Sequence, residues 1–144
     1  MRKSRGILIG LLILIAVIIV VGLNTNLKIT HYVQNDSRIK EEIKIAFVAD
    51  LHSCDYGENQ ETLLNEIYKE KPDLIISSGA AVAVPFFYLG KLFGAKLIYI
   101  EVFDRIDKPT MTGKLVYPIV DKFIVQWEEM KKVYPKAINL GSIF

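Results

Sequence analysis

Five short apolar runs, separated by segments of helical or turn character, constrain this chain more than any other feature of its sequence. The runs occupy residues 43–49, 73–77, 96–102, 122–126 and 137–140. Between the first two, residues 59–69 place Leu63, Leu64, Ile67 and Tyr68 on one helical face, and Pro72 ends that pattern. Residues 80–93 predict an apolar helix, with Pro85 near its first turn and Gly94 as its stop. Residues 111–119 and 128–134 predict shorter helices. Alternation of this kind predicts βαβ units and an α/β fold built on a parallel sheet of about five strands with flanking helices. Strands this continuously apolar suit a sheet covered on both faces. Ligands of such sheets gather at the carboxyl ends of the strands. Chemistry is therefore expected in the loops at 50–58, 77–80, 102–113 and 126–129.

The amino-terminal region is of another kind. Ile7 to Leu23 is an uninterrupted apolar run in which only Gly10, Ala16 and Gly22 are small. As a helix it would extend about 26 Å, close to the apolar thickness of a bilayer once its flanks are added. Residues 6–23 are thus expected to form one transmembrane helix after a basic tail at 1–5. A cleaved signal peptide fits less well, because no small-x-small site follows the run. A buried core helix fits poorly, because the run has no polar face. Arg2, Lys3 and Arg5 precede the run, which favours an inside amino terminus and an outside domain. Residues 24–42 read as a polar linker that could hold a strand at 28–34. A single α/β domain is expected over residues 43–144.

Charge and cysteine content narrow the function classes. The chain carries eighteen basic and sixteen acidic residues. Three of the basic ones lie in the tail, so the remainder has no basic excess and no nucleic-acid footprint is expected. Cys54 is the single cysteine, which excludes an internal disulfide and a multi-cysteine zinc site.

The first strand ends in Asp50-Leu51-His52-Ser53. A carboxylate and an imidazole two residues apart could begin a divalent metal site, or simply open a loop. The anchor, the tract Ile-Lys-Ile-Ala-Phe-Val-Ala-Asp-Leu-His-Ser, a helix and then Lys-Pro-Asp-Leu-Ile-Ile resemble membrane-anchored calcineurin-like metallophosphoesterases over about residues 1–76. That resemblance implies Asp50 and His52 as ligands of a two-metal centre that supplies a hydroxide to a phosphate ester. It also implies a Gly-Asp after the second strand and later His-bearing motifs. Here Ser78-Gly79-Ala80 stands in the first place, and His31 and His52 are the only histidines. Phosphoesterase activity is not expected from so few ligands.

Ser77-Ser78-Gly79-Ala80-Ala81 joins the second strand to an apolar helix. Small residues there allow close approach of a phosphate or sugar hydroxyl to free backbone N–H groups, or merely a tight turn. Glu101 ends the third strand in Tyr-Ile-Glu-Val-Phe-Asp-Arg. It could accept hydrogen bonds from a sugar or pair with Arg105. From about residue 71 to 144 the chain resembles the membrane-associated subunit of the two-part UDP-N-acetylglucosamine transferase and its PssD-type capsular polysaccharide counterparts. The tracts that carry this are Pro-Asp-Leu-Ile-Ile-Ser-Ser-Gly-Ala-Ala-Val-Ala-Val-Pro-Phe-Phe, Ile-Tyr-Ile-Glu-Val-Phe-Asp-Arg, Phe-Ile-Val-Gln-Trp-Glu-Glu-Met and the ending Asn-Leu-Gly-Ser-Ile-Phe.

The resemblance implies a Rossmann-like half-domain of a GT-B glycosyltransferase, the half that meets a lipid-linked saccharide acceptor at the membrane. A separate donor-binding subunit would bring the UDP-sugar, and no cofactor would be required. Ser78, Gly79, Ala80, Glu101 and Arg105 become the substrate-binding candidates. Trp127 and Glu128 fall either at a subunit interface or in the packing of the carboxyl terminus. The front departs from the pattern, since Asp-Leu-His-Ser stands where the family has a Ser-Gly-Gly-His type loop. Residues 69–79 therefore read as a seam between two families, and a chimera without activity is a third reading. Topology separates the first two, because UDP-sugars are cytoplasmic whereas the basic tail favours a domain outside.

Overall fold

The computed structural model describes residues 10–17, 27–48, 54–79, 81 and 83–143. The chain divides into two compact units, Met1–His31 and Tyr32–Phe144. In the first unit residues 10–17 are helical (α1) and expose Leu11, Leu12, Ile13, Leu14, Ile15 and Val17. Much of the transmembrane segment expected at 6–23 lies outside the described residues. Among the described residues no helix is long and apolar enough to cross a membrane. The strand expected at 28–34 does not form. A strand needs a ladder partner, and β1 (Ile45–Val48) pairs with β2 (Leu74–Ser77) alone among the described strands.

The second unit continues with β3 (Lys96–Ile100), β4 (Lys122–Val125) and β5 (Ile138–Asn139). All neighbours are parallel, in the order β1-β2-β3-β4-β5. Helix α2 (Glu61–Glu70) links β1 to β2, α3 (Ala83–Leu92) links β2 to β3, and α4 (Met111–Val116) links β3 to β4. The five-stranded parallel sheet with flanking helices is as expected. Element ends differ for local reasons. Helix α2 starts at Glu61 rather than 59, because Asn59 and Gln60 are left-handed. Gln60 is buried there, donating to the Cys54 carbonyl at 2.9 Å and accepting from the Tyr56 N–H at 3.1 Å. Helix α4 stops at Val116 rather than 119, since Pro118 has no N–H to continue the ladder. The last expected helix is a 3-10 turn, Glu128–Lys132.

Strand order corrects one expectation. Right-handed crossovers that always advance in one direction put every helix on the same face. Accordingly α2 packs on α3 and α3 on α4. Ile75, Leu97, Tyr99, Phe123 and Val125 are buried beneath that layer. On the opposite face Ile45 and Phe47 are 56% and 62% exposed. Leu74, Ile76, Ile98, Ile100 and Ile124 on that face are partly buried, so among the described residues the helices bury one face fully and the other is covered unevenly, least at β1.

Two aspartates fasten the amino-terminal edge in the same way. Asp73, just before β2, accepts the Lys44 N–H at 2.9 Å. Asp121, just before β4, accepts the Leu97 N–H at 2.9 Å. Each carboxylate ties its own strand to the start of the preceding one. An aromatic cluster of Phe87, Tyr99, Phe123, Tyr117 and Tyr134, with centroids 4.3–6.0 Å apart, fills the core beneath β3 and β4.

Candidate functional site

The carboxyl ends of β2, β3 and β4 form one edge, and the chain after each strand sets its character. After β2, the buried Ser77 turns its hydroxyl back to the Gly79 carbonyl at 3.2 Å. Gly79 then takes φ +128°, a region that favours glycine. A Cβ at this position would lie 2.7 Å from Val102 Cγ1. The backbone of the Ser78–Gly79 turn thus lies against Val102, near the start of the loop after β3. Two regions singled out from sequence are brought into contact here.

Glu101 directly follows β3 with its side chain turned inward, and it is 1% exposed. Its carboxylate accepts from the Thr110 hydroxyl at 2.9 Å, the Val102 N–H at 3.2 Å, and the Thr110 N–H and Tyr134 hydroxyl at 3.4 Å. The Thr110 hydroxyl also accepts the Gly113 N–H at 2.9 Å and so caps α4. A Cβ on Gly113 would run into the Glu101 carboxylate and the Tyr134 hydroxyl. Tyr99 reaches the Thr110 hydroxyl at 3.4 Å. Burial, with the Glu101 carboxylate adding to it, pushes the phenols of Tyr99 and Tyr134 well above their ordinary range. The pairing of Glu101 with Arg105 considered from sequence gives way to this group of neutral donors.

Arg105 stands on the exposed part of the loop, with its side-chain Nε 3.8 Å from Asp104 and its own N–H bonded to the Val102 carbonyl. Trp127 joins the same loop from the end of β4. Its indole N–H donates to the Phe103 carbonyl at 2.7 Å, and the two rings lie 5.1 Å apart. Gln126 is buried and donates to the Glu101 carbonyl at 3.1 Å, while its own oxygen accepts the Ile143 N–H at 3.0 Å. Glu128 accepts from Asn139 at 2.7 Å. Both Trp127 and Glu128 are therefore engaged in packing the loop and the carboxyl-terminal segment.

Asp50, His52 and Ala80 lie outside the described residues. Among the described residues no group of three metal-binding side chains occurs. A cleft of about 390 Å³ lined by Tyr117, Pro118, Val120, Asp121, Phe123 and Lys136 lies at the opposite end of β4, away from this edge. Sequence reasoning does not single out Thr110, Gln126 or Tyr134, the residues gathered around Glu101. Thr110 carries a readable signal, a threonine just before a helix start.

Comparison with known proteins covers this edge. The family model described as "Oligosaccharide biosynthesis protein Alg14 like" matches residues 59–143. That span begins before the seam expected at 69–79, runs through it without a break, and takes in α2, β2 and the later elements. Among similar proteins is the UDP-N-acetylglucosamine transferase subunit ALG14 of Homo sapiens, 35% identical over 83 residues, or 54% of this chain and 38% of that protein. Its counterpart in Candida albicans is 40% identical over 81 residues, covering 52% and 37%. In Schizosaccharomyces pombe the figures are 34% over 77 residues, 50% and 37%. The chain thus spans less than two-fifths of the length of these relatives. No solved structure matches it. Nothing in these comparisons supports a metallophosphoesterase in the first half.

Proposed function

Because the chain belongs to the Alg14-like family of oligosaccharide biosynthesis proteins, we propose that it is the acceptor-side subunit of a UDP-N-acetylglucosamine transferase acting on a lipid-linked saccharide. In this reading it is held at the membrane by residues 6–23, works with a separate donor-binding subunit and transfers no sugar alone. The observation that carries the reading is that the family match takes in every described loop of the carboxyl edge beyond β2. The Ser78–Gly79 turn and the Arg105 loop touch there.

The chemistry follows from what such an edge offers. Backbone N–H groups after β2 are donors for anionic or hydroxyl oxygens, and the small side chain of Ser78 and the bare Gly79 suit their approach. Arg105 supplies a permanent cation suited to phosphate oxygens. The similar proteins are named as subunits of a UDP-N-acetylglucosamine transferase, which is why a second, donor-binding subunit is part of the proposal. No metal is required for transfer in this reading. The domain must then face the side of the membrane that holds UDP-sugars, against the preference of the Arg2, Lys3 and Arg5 tail.

The test is reconstitution. The chain is co-expressed with a candidate donor-binding subunit, co-purified in detergent, and given UDP-N-acetylglucosamine and a pyrophosphate-linked lipid saccharide. Transfer by the pair and none by either chain alone is expected. Protease accessibility in intact cells gives a second reading, and a domain cleaved from outside would rule out transfer from a cytoplasmic donor.

A further inference from the structure

The carboxylate of Glu101, just past β3, does not reach the surface of this edge. We infer that Glu101 is a positioning residue. It does not meet the acceptor but, through Thr110 and Tyr134, holds in one shape the 102–109 loop, which carries Arg105 and whose first residue, Val102, lies against Gly79. The inference rests on the reading that this edge binds the acceptor.

Three observations carry it. First, the carboxylate accepts from both ends of the loop, from the Val102 N–H at its start and from the Thr110 N–H and hydroxyl at its finish. One side chain thus closes an eight-residue loop, so much of its ordering cost is met before any ligand arrives. Second, no space remains over the carboxylate. Glu101 is 1% exposed, and the missing Cβ of Gly113 would already run into it. Third, the far side of the loop is clamped to β4 by Trp127 through Phe103, and Gln126 grips the Glu101 carbonyl. Thr110 connects the parts, since its hydroxyl donates to Glu101 and accepts from Gly113 at the start of α4.

The position of Trp127 provides a readout that does not depend on catalysis. It is the only tryptophan in the chain, and it touches the loop directly. Glu101→Gln places an amide where only an acceptor suits, and Thr110→Val removes the hydroxyl while keeping the shape. Both are expected to shift Trp127 emission to the red, raise its quenching by acrylamide and speed hydrogen exchange across 102–109. In the reconstituted pair both are expected to raise the KM for the lipid-linked acceptor about tenfold while kcat changes less than about threefold. Thr110→Ser keeps both hydrogen bonds and is expected to restore emission, quenching and KM.

If Glu101→Gln abolishes kcat while Trp127 and the acceptor KM stay as in the unaltered protein, the carboxylate acts on substrate and the inference is wrong. If both substitutions leave Trp127, exchange and KM unchanged, it is equally wrong. Should Glu101→Gln not fold, Thr110→Val and Thr110→Ser decide between the same outcomes. If the unaltered pair transfers no sugar, the transferase reading fails, while emission and exchange still decide whether Glu101 holds the loop.

Discussion

At the scale of single residues, this protein places charge and backbone strain where loops meet. Gly79 combines φ +128° with a position against Val102 that leaves no room for a Cβ. Gly79→Ala is therefore expected to destabilise the domain by about 1–3 kcal/mol in urea unfolding. Adding Val102→Ala should recover the steric part of that loss but not the conformational part. The tyrosines beside Glu101 set a pH limit. Their folded phenols lose protons less readily than those of the unfolded chain, because burial and the neighbouring carboxylate oppose the phenolate. The unfolded chain therefore ionises first as pH rises past about 10. Their contribution to stability is complete below that pH and falls above it. Urea midpoints measured from pH 8 to 11.5 should fall at the alkaline end, and Tyr99→Phe should flatten the fall. A fall of equal steepness in Tyr99→Phe would discount the role of this phenol.

Elements are defined by what closes their ends. The left-handed Gln60 starts α2, Thr110 caps α4, and the Asp73 and Asp121 carboxylates fasten the beginnings of parallel strands. A parallel ladder cannot be closed by a tight hairpin, so its first N–H groups need partners from elsewhere. Asp73→Ala and Asp121→Ala are each expected to cost about 0.5–1.5 kcal/mol. Asp121 should fall in the lower half of that range, because its contacts with Lys91 and Lys96 at 3.7 and 3.6 Å are water-exposed and screened. The Leu97 N–H, with those lysines, holds the Asp121 carboxyl below its ordinary range. Its contribution is present above about pH 4 and is lost as pH falls further. Equal urea midpoints for Asp121→Ala and the unaltered protein at neutral pH would show that the bond contributes nothing.

For the whole molecule, one layer of helices on a five-stranded parallel sheet leaves a face of isoleucine, leucine and phenylalanine outside the described core. Phe47→Ser should change stability by no more than about 1 kcal/mol, whereas Leu97→Ala, beneath α3, should cost about 2–5. A large loss at Phe47 would show that its face is covered. The comparison of these two residues shows how far the sequence could be read. Alternating apolar runs and helical spacing determined the number of strands, their parallel sense and the strand ends at which chemistry is expected. These are local properties of periodicity and length. The contact of Gly79 with Val102, the inward turn of Glu101 and the unequal covering of the two sheet faces were decided by tertiary structure. Each depends on strand order and on groups far apart in the chain, such as Tyr134 meeting Glu101. An apolar strand residue looks the same in sequence whether its face is buried or open. A carboxylate at a strand end likewise looks the same whether it faces a ligand or holds the loop that does.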